Sequence, residues 1–406
     1  MKRILVLGAG FAGLIAAVGA VRKLTELRIP REDVSVTIVN RDRWHAIRVR
    51  NYETDLADTR VPLDEVLGPI GVEIVISDVV AVDCARRQAS CVQSGQTVAL
   101  TYDRLVFALG SELVRPPVPG LAEYGFDIDT YEAAARLQAH LASLPDRPPA
   151  PGRFTVLVVG GGLTGVEAAT EMATRLREIT APHPARIILA DHAPRIGSTM
   201  GDGACHVIDE ALRALGVETR PGVSIEAIDG AGVRLSTGEE IAAATVVWCG
   251  GMRAHKLAAS LPGPHDRFGR VAVDRFLKVE GAADVFAAGD VAVASLDGEH
   301  VSVMSCQHAR PMGRIAGHNA VCDLVGAEMI PIEIGYYVTI LDLGAWGALY
   351  TEGWDRRVAV TGAAAKETKR LINCQRIYPP RSGDPAAILA AAAPVTQAPP
   401  PRFGKG

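Results

Sequence analysis

Two glycine clusters are the residues best placed to do chemistry in this chain. Gly8, Gly10 and Gly13 stand in G-x-G-x-x-G spacing, and Gly160, Gly162 and Gly165 repeat it. In such a run the first glycine permits a tight turn, the second lets backbone approach a pyrophosphate, and the third lets a helix pack on its strand. The helix that follows turns free N–H groups and the positive end of its dipole toward the phosphates. An acid ending the next strand would hold the ribose hydroxyls. Asp191 stands there for the second cluster, and its charge favours NADH and repels a 2′-phosphate. For the first cluster the residue is Asn40, which can hydrogen-bond a ribose without charge.

The spacing carries weight only between a strand and a helix. Residues 4–7 are a short apolar run suited to a strand buried on both faces, and residues 14–21 read as an Ala-rich helix. The apolar stretch 4–21 behind Lys2 and Arg3 also fits a signal peptide or membrane span, but the glycine spacing and the strand at 35–40 favour the nucleotide site. Around the second cluster, residues 154–159 and 186–190 supply the strands. Residues 102–111 form another buried strand ending in glycine, and Pro-rich breaks follow at 116–119 and 145–151. Residues 72–82 and 87–100 read as antiparallel strands, and 130–144 as a helix. Residues 285–288 deliver Gly289 and Asp290, where the Asp either accepts from a sugar or ribityl hydroxyl or closes a plain turn. Trp44, His45, Arg48 and Arg50 lie past the second strand, as a ligand-facing loop or a solvated basic one. A helix is expected from about Met312, strand-like sequence over 336–350, and a basic helix over 363–374. The Ala- and Pro-rich residues 381–406 are expected to be disordered.

At 406 residues the chain has room for two or three domains, and 48% hydrophobic content fills sizeable cores. A net charge of −4 gives no basic footprint for nucleic acid. Seven scattered cysteines without C-x-x-C spacing read as reduced thiols of a cytoplasmic protein, and no zinc-ligand spacing stands out, so no metal is expected. Two fingerprints imply two dinucleotides, and one can be a flavin, because electrons from NADH need a destination.

Over residues 1–380 the chain resembles the two-dinucleotide-binding-domain flavoproteins, and most of all the type II NADH dehydrogenases (NADH:quinone oxidoreductases). The resemblance implies an α/β fold of two Rossmann-like domains plus a C-terminal α+β region. An FAD domain (1–119 and 264–330) would hold an inserted NADH domain (120–263), followed by an acceptor or interface region (331–380). It assigns FAD to Gly8, Gly10, Gly13 and Asn40, to Gly110 in the A-T-G-like Ala108-Leu109-Gly110, and to Gly289-Asp290. NADH falls to Gly160, Gly162, Gly165 and Asp191, with Glu167 beside the nicotinamide; the alternative for Glu167 is a first-turn acid favoured by the helix dipole. The family's A-Q-x-x-x-Q keeps its first Gln as Gln307, given a catalytic role with Glu167, and has Pro311 for its second. Lys366 or Lys369 matches a C-terminal lysine of the family, and Cys306 reads as a buried structural thiol.

The implied activity is hydride transfer from NADH to FAD and on to an acceptor, most readily a quinone. A soluble acceptor, or a redox sensor with little turnover, would use the same two sites. A peripheral position on the cytoplasmic membrane face and a homodimer are compatible with the resemblance.

Overall fold

The computed structural model describes residues 1–93 and 95–403. Its first sheet is five-stranded and parallel. The strands lie in the order Val285–Ala287, Arg104–Phe107, Lys2–Leu7, Val34–Asn40 and Glu73–Ile76. The central strand is fully buried from Ile4 to Leu7, in a core shared with the helix Phe11–Glu26 and with Val82, Ala89 and Cys91. Residues 4–21 are therefore a core strand and most of the helix Phe11–Glu26.

That helix lies against the helix Cys306–Val325 with backbone nearly touching backbone. A β-carbon on Gly313 would sit 2.3 Å from the Ala12 carbonyl oxygen, and one on Gly317 would sit 2.0 Å from that of Ala16. Only glycine allows this approach. The Cys306–Val325 helix begins a turn and a half earlier than the expected start near Met312. Ser305 caps it by accepting from His308 N at 3.3 Å. Pro311 stands inside this helix and withholds one N–H, the intrahelical partner of the Gln307 carbonyl.

A second five-stranded parallel sheet runs Gly125–Phe126, Thr245–Trp248, Thr155–Val159, Arg186–Asp191 and Val217–Pro221. The chain passes between the two sheets through an antiparallel ribbon of Ser111–Leu113 and Met252–Ala254. Residues 72–82 are not one antiparallel strand. Glu73–Ile76 closes the edge of the first sheet, and after Ser77 the strand Asp78–Asp83 enters a separate antiparallel sheet with Gln88–Gln93 and Gln96–Thr101. Residue 94 of the expected strand 87–100 lies outside the described residues.

The C-terminal region is a three-stranded antiparallel sheet, Val338–Asp342, Ala348–Glu352 and Arg357–Thr361, covered by the helix Gly362–Leu371. The tail is not disordered over its described part. Asp384 caps the helix Pro385–Ala391 by accepting from Ala386 N (3.0 Å) and Ala387 N (3.2 Å). Ile388, 0% exposed, joins the core of the first sheet, so its apolar side chain supplies the burial that the composition seemed to lack. Residues 404–406 of the tail lie outside the described residues.

Candidate active site

Each glycine turn joins a buried strand to a helix without side-chain capping, so the first-turn N–H groups stay available. A β-carbon on Gly10 or on Gly162 would meet nothing within 4 Å, and both residues face one cavity of about 1120 Å³. The bare backbone leaves room for a pyrophosphate at each turn. Gly13 and Gly165 act from beneath. Their β-carbons would strike the carbonyl oxygens of Gly8 and Gly160 at 1.8 and 1.7 Å, which locks turn to helix.

The loops beyond the strands differ. Ala9 N donates to Asn40 Oδ1 at 3.0 Å, and Asn40 Nδ2 donates to the carbonyls of Asp42 (2.9 Å) and Trp44 (3.3 Å). A carboxylate could accept the first bond but not make the other two, which explains an amide here. At the second turn Asp191 accepts from Ala193 N at 2.6 Å and from Gly161 N.

Asp290 and Gly289 line the same cavity as Gly8, Gly110 and Asn40. Ser111 Oγ donates to Asp290 Oδ2 at 2.6 Å, and Arg48 donates to Ser111 Oγ at 2.9 Å. Burial pushes the Asp290 carboxyl up despite that bond and the nearby charge of Arg48. The basic loop is thus not solvated. Trp44 and Arg48 line the cavity, Arg50 pairs with Glu53 at 2.7 Å, and His45 is 1% exposed with Nδ1 2.8 Å from the Ala9 carbonyl. Burial brings the His45 pKa down to about 4, so its ring is neutral.

Where the two units meet, Glu167 reaches the cavity from the helix Leu163–Thr180. Glu167 Oε1 accepts from Lys369 Nζ at 2.8 Å and from Asp342 N at 3.0 Å. Asp342 accepts from Tyr52 OH at 3.1 Å and from Lys366. Burial pushes the Glu167 carboxyl up against the pull of Lys369. Burial alone would lower Lys369, but the Glu167 charge overcomes it and keeps the ammonium charged. Gln307 lines the cavity nearby, and its Nε2 is buried with no partner among the described residues, a donor free for a ligand.

Of the residues singled out from sequence, Gly8, Gly10, Asn40, Gly110, Gly162, Glu167, Gly289, Asp290 and Gln307 line one cavity. Gly13, Gly160, Gly165 and Asp191 brace it from outside the lining. Tyr52 and Asp342 carry no sequence signal, and Lys369, which touches Glu167, is separated from Lys366, which touches Asp342. All seven cysteines are free thiols. Burial pushes Cys306 up and Cys249 up to about 12, so neither is a thiolate. Among the described residues no group of His, Cys, Asp or Glu could hold a metal, and no helix is long and apolar enough to cross a membrane.

The model of the pyridine nucleotide-disulphide oxidoreductases matches residues 2–313. An NADH dehydrogenase-like protein of Mycobacterium tuberculosis is 52% identical over 400 residues, covering 98% of this chain and 99% of its own. A type II NADH:quinone oxidoreductase of Staphylococcus haemolyticus is 26% identical over 93% of this chain and 95% of its own. Among solved structures, NDH2 from Plasmodium falciparum in complex with NADH superposes with a TM-score of 0.76 at 13% identity, over 96% of this chain and 97% of that one.

Proposed function

The chain belongs to the pyridine nucleotide-disulphide oxidoreductase family, and on that footing we propose that it is an FAD-dependent NADH dehydrogenase of the type II kind whose electron acceptor is a quinone. The observation that carries this reading is the single cavity joining both glycine turns and continuing past Gln307. FAD, when bound, supplies the redox chemistry, taking a hydride from NADH and returning two electrons to the acceptor.

The chain's own residues bind and align. FAD falls to residues 1–119 and 264–330, held by the Gly8–Gly10 turn and by Gly110, Asn40, Gly289 and Asp290. The buried Asp290 carboxylate would accept from the ribityl hydroxyls of a bound FAD. NADH falls to residues 120–263, with its phosphates over Gly162, with Gly160 and Gly165 shaping the turn, and with Asp191 setting the ribose end. Glu167 and Lys369 hold a charged pair, shielded from water, where the nicotinamide enters, which fixes its approach. The free Nε2 of Gln307 donates to the acceptor carbonyl. On this reading the enzyme works in the cytoplasm and meets its quinone at the membrane surface.

The test is anaerobic stopped-flow absorbance of the FAD-loaded protein on adding NADH and then a short-chain quinone. Rapid bleaching followed by rapid return of the flavin absorbance is expected. Bleaching without return would remove quinone as acceptor, and a protein that binds no flavin would overturn the assignment of the first turn.

A further inference from the structure

Beyond Gln307 the cavity ends against Arg310, Tyr336, Arg376, Ile377, Gln397 and Pro400. Two arginines wall this end and a third, Arg314, lies one helical turn behind Arg310. Arg310 Nη1 donates to the Arg376 carbonyl at 2.6 Å. Arg376 donates to the Ala398 carbonyl and reaches Tyr336 OH at 3.5 Å. Arg314, 2% exposed, donates from Nε to the Ala391 carbonyl at 3.1 Å, while its Nη1 and Nη2 have no partner among the described residues. Among the described residues no carboxylate pairs with any of the three. Two acids that line the cavity are engaged elsewhere, Glu167 by Lys369 and Asp290 by Ser111.

Guanidinium groups do not give up their proton, and a buried cation without counter-charge, as Arg314 is, is costly; Arg310 and Arg376 are half-buried beside it. Carbonyl oxygens engage a few of their N–H donors and leave the charge unanswered. The arginine fork fits a planar oxyanion, and the neighbouring side chains of Ile372 and Ile377 suit a ring. The described tail closes the chamber on the outside. Pro400 O accepts from Tyr350 OH at 3.3 Å, and Pro401 O accepts from Thr368 Oγ1 at 2.9 Å, so Gln397 and Pro400 are held as wall.

We propose that the acceptor is an acidic quinone, one whose ring carries an ionised carboxylate or equivalent oxyanion received by Arg310 and Arg376. This rests on the reading of the protein as a quinone reductase. The balance is that of any such enzyme: NADH and one solvent proton become NAD⁺, the quinone becomes its quinol, and the acidic substituent is unchanged.

The test uses the full-length FAD-loaded enzyme with 1,4-naphthoquinone-2-sulfonate and unsubstituted 1,4-naphthoquinone as paired acceptors. The ratio of their kcat/KM values should fall at least ~10-fold in Arg310→Met and in Arg376→Met, and Arg310→Lys should recover part of it. A readout independent of turnover is calorimetric titration with redox-inert naphthalene-2-sulfonate, which should bind the wild type and not the Met variants. If both quinones lose rate in parallel, or the sulfonate does not bind the wild type because FAD itself answers the arginines, the inference is overturned while the quinone reductase stands. If neither quinone restores the bleached flavin of the wild type, the acceptor reading fails and takes this inference with it. Should the Met variants not fold, competition by naphthalene-2-sulfonate against the neutral quinone in the wild type decides: inhibition supports the site and its absence removes it.

Discussion

At the first glycine turn Ala9 N donates to an amide, Asn40; at the second, Gly161 N donates to a carboxylate, Asp191. The surroundings differ more than the turns. The first is walled by His45, by Asp290 and by the helix Cys306–Val325, with Gly289 so close that a β-carbon there would meet that of Ala12 at 2.8 Å. The second turn opens outward, and Leu163 beside it is 37% exposed. The same motif can therefore serve a cofactor that stays and a substrate that leaves. The motif supplies the phosphate site, and its enclosure sets how long the ligand remains.

The largest expected effect separates the two turns directly. Gly10→Val should purify without flavin absorbance, whereas Gly162→Val should keep its flavin but bleach at least ~100-fold more slowly with NADH. Loss of flavin from both variants would break the distinction. Next comes the ion pair at the junction. Lys369→Met leaves Glu167 buried and unpaired, which should cost about 3–5 kcal/mol in urea unfolding, and adding Glu167→Gln should recover most of it.

Acid should act on the first turn through His45. The His45 pKa lies at about 4 in the fold against 6.5 when unperturbed, so the unfolded chain takes up the proton first as pH falls. The stability from the neutral ring is full above pH 6.5, is lost progressively down to pH 4, and amounts to about 3 kcal/mol. Flavin fluorescence should report release over that window, and His45→Gln should flatten the curve. Smaller again, Asp191→Asn should raise KM for NADH ~10-fold and narrow its preference over NADPH. Smallest, Asn40→Asp keeps the bond from Ala9 but loses the two donated to carbonyls, and flavin should bind only a few-fold more weakly by titration.

The glycine turns were legible in the sequence because their geometry is local. Gly8 and Gly13, or Gly160 and Gly165, meet within one strand-turn-helix. Of the network at the junction, the family resemblance put forward Glu167 and Lys366 or Lys369, but Tyr52, Asp342 and the pairing itself were not legible. Tyr52 reaches Asp342 across 290 residues and Lys369 reaches Glu167 across 202, and no period or spacing records such contacts. Composition hid the tail helix too, since one capping Asp384 and one buried Ile388 decide it.

The contact of Gly313 and Gly317 with the N-terminal helix also sets an order of assembly. The second sheet has all its strands once residue 248 has been made, so it can form early during synthesis. The first sheet begins at Lys2 yet waits for Val285–Ala287, and its first helix waits for a partner ending at Val325. The turn that opens the chain is thus among the last parts to become rigid. Flavin capture should then fall late in folding, after the helix ending at Val325 has been made, and so serves as a checkpoint on the assembled first sheet.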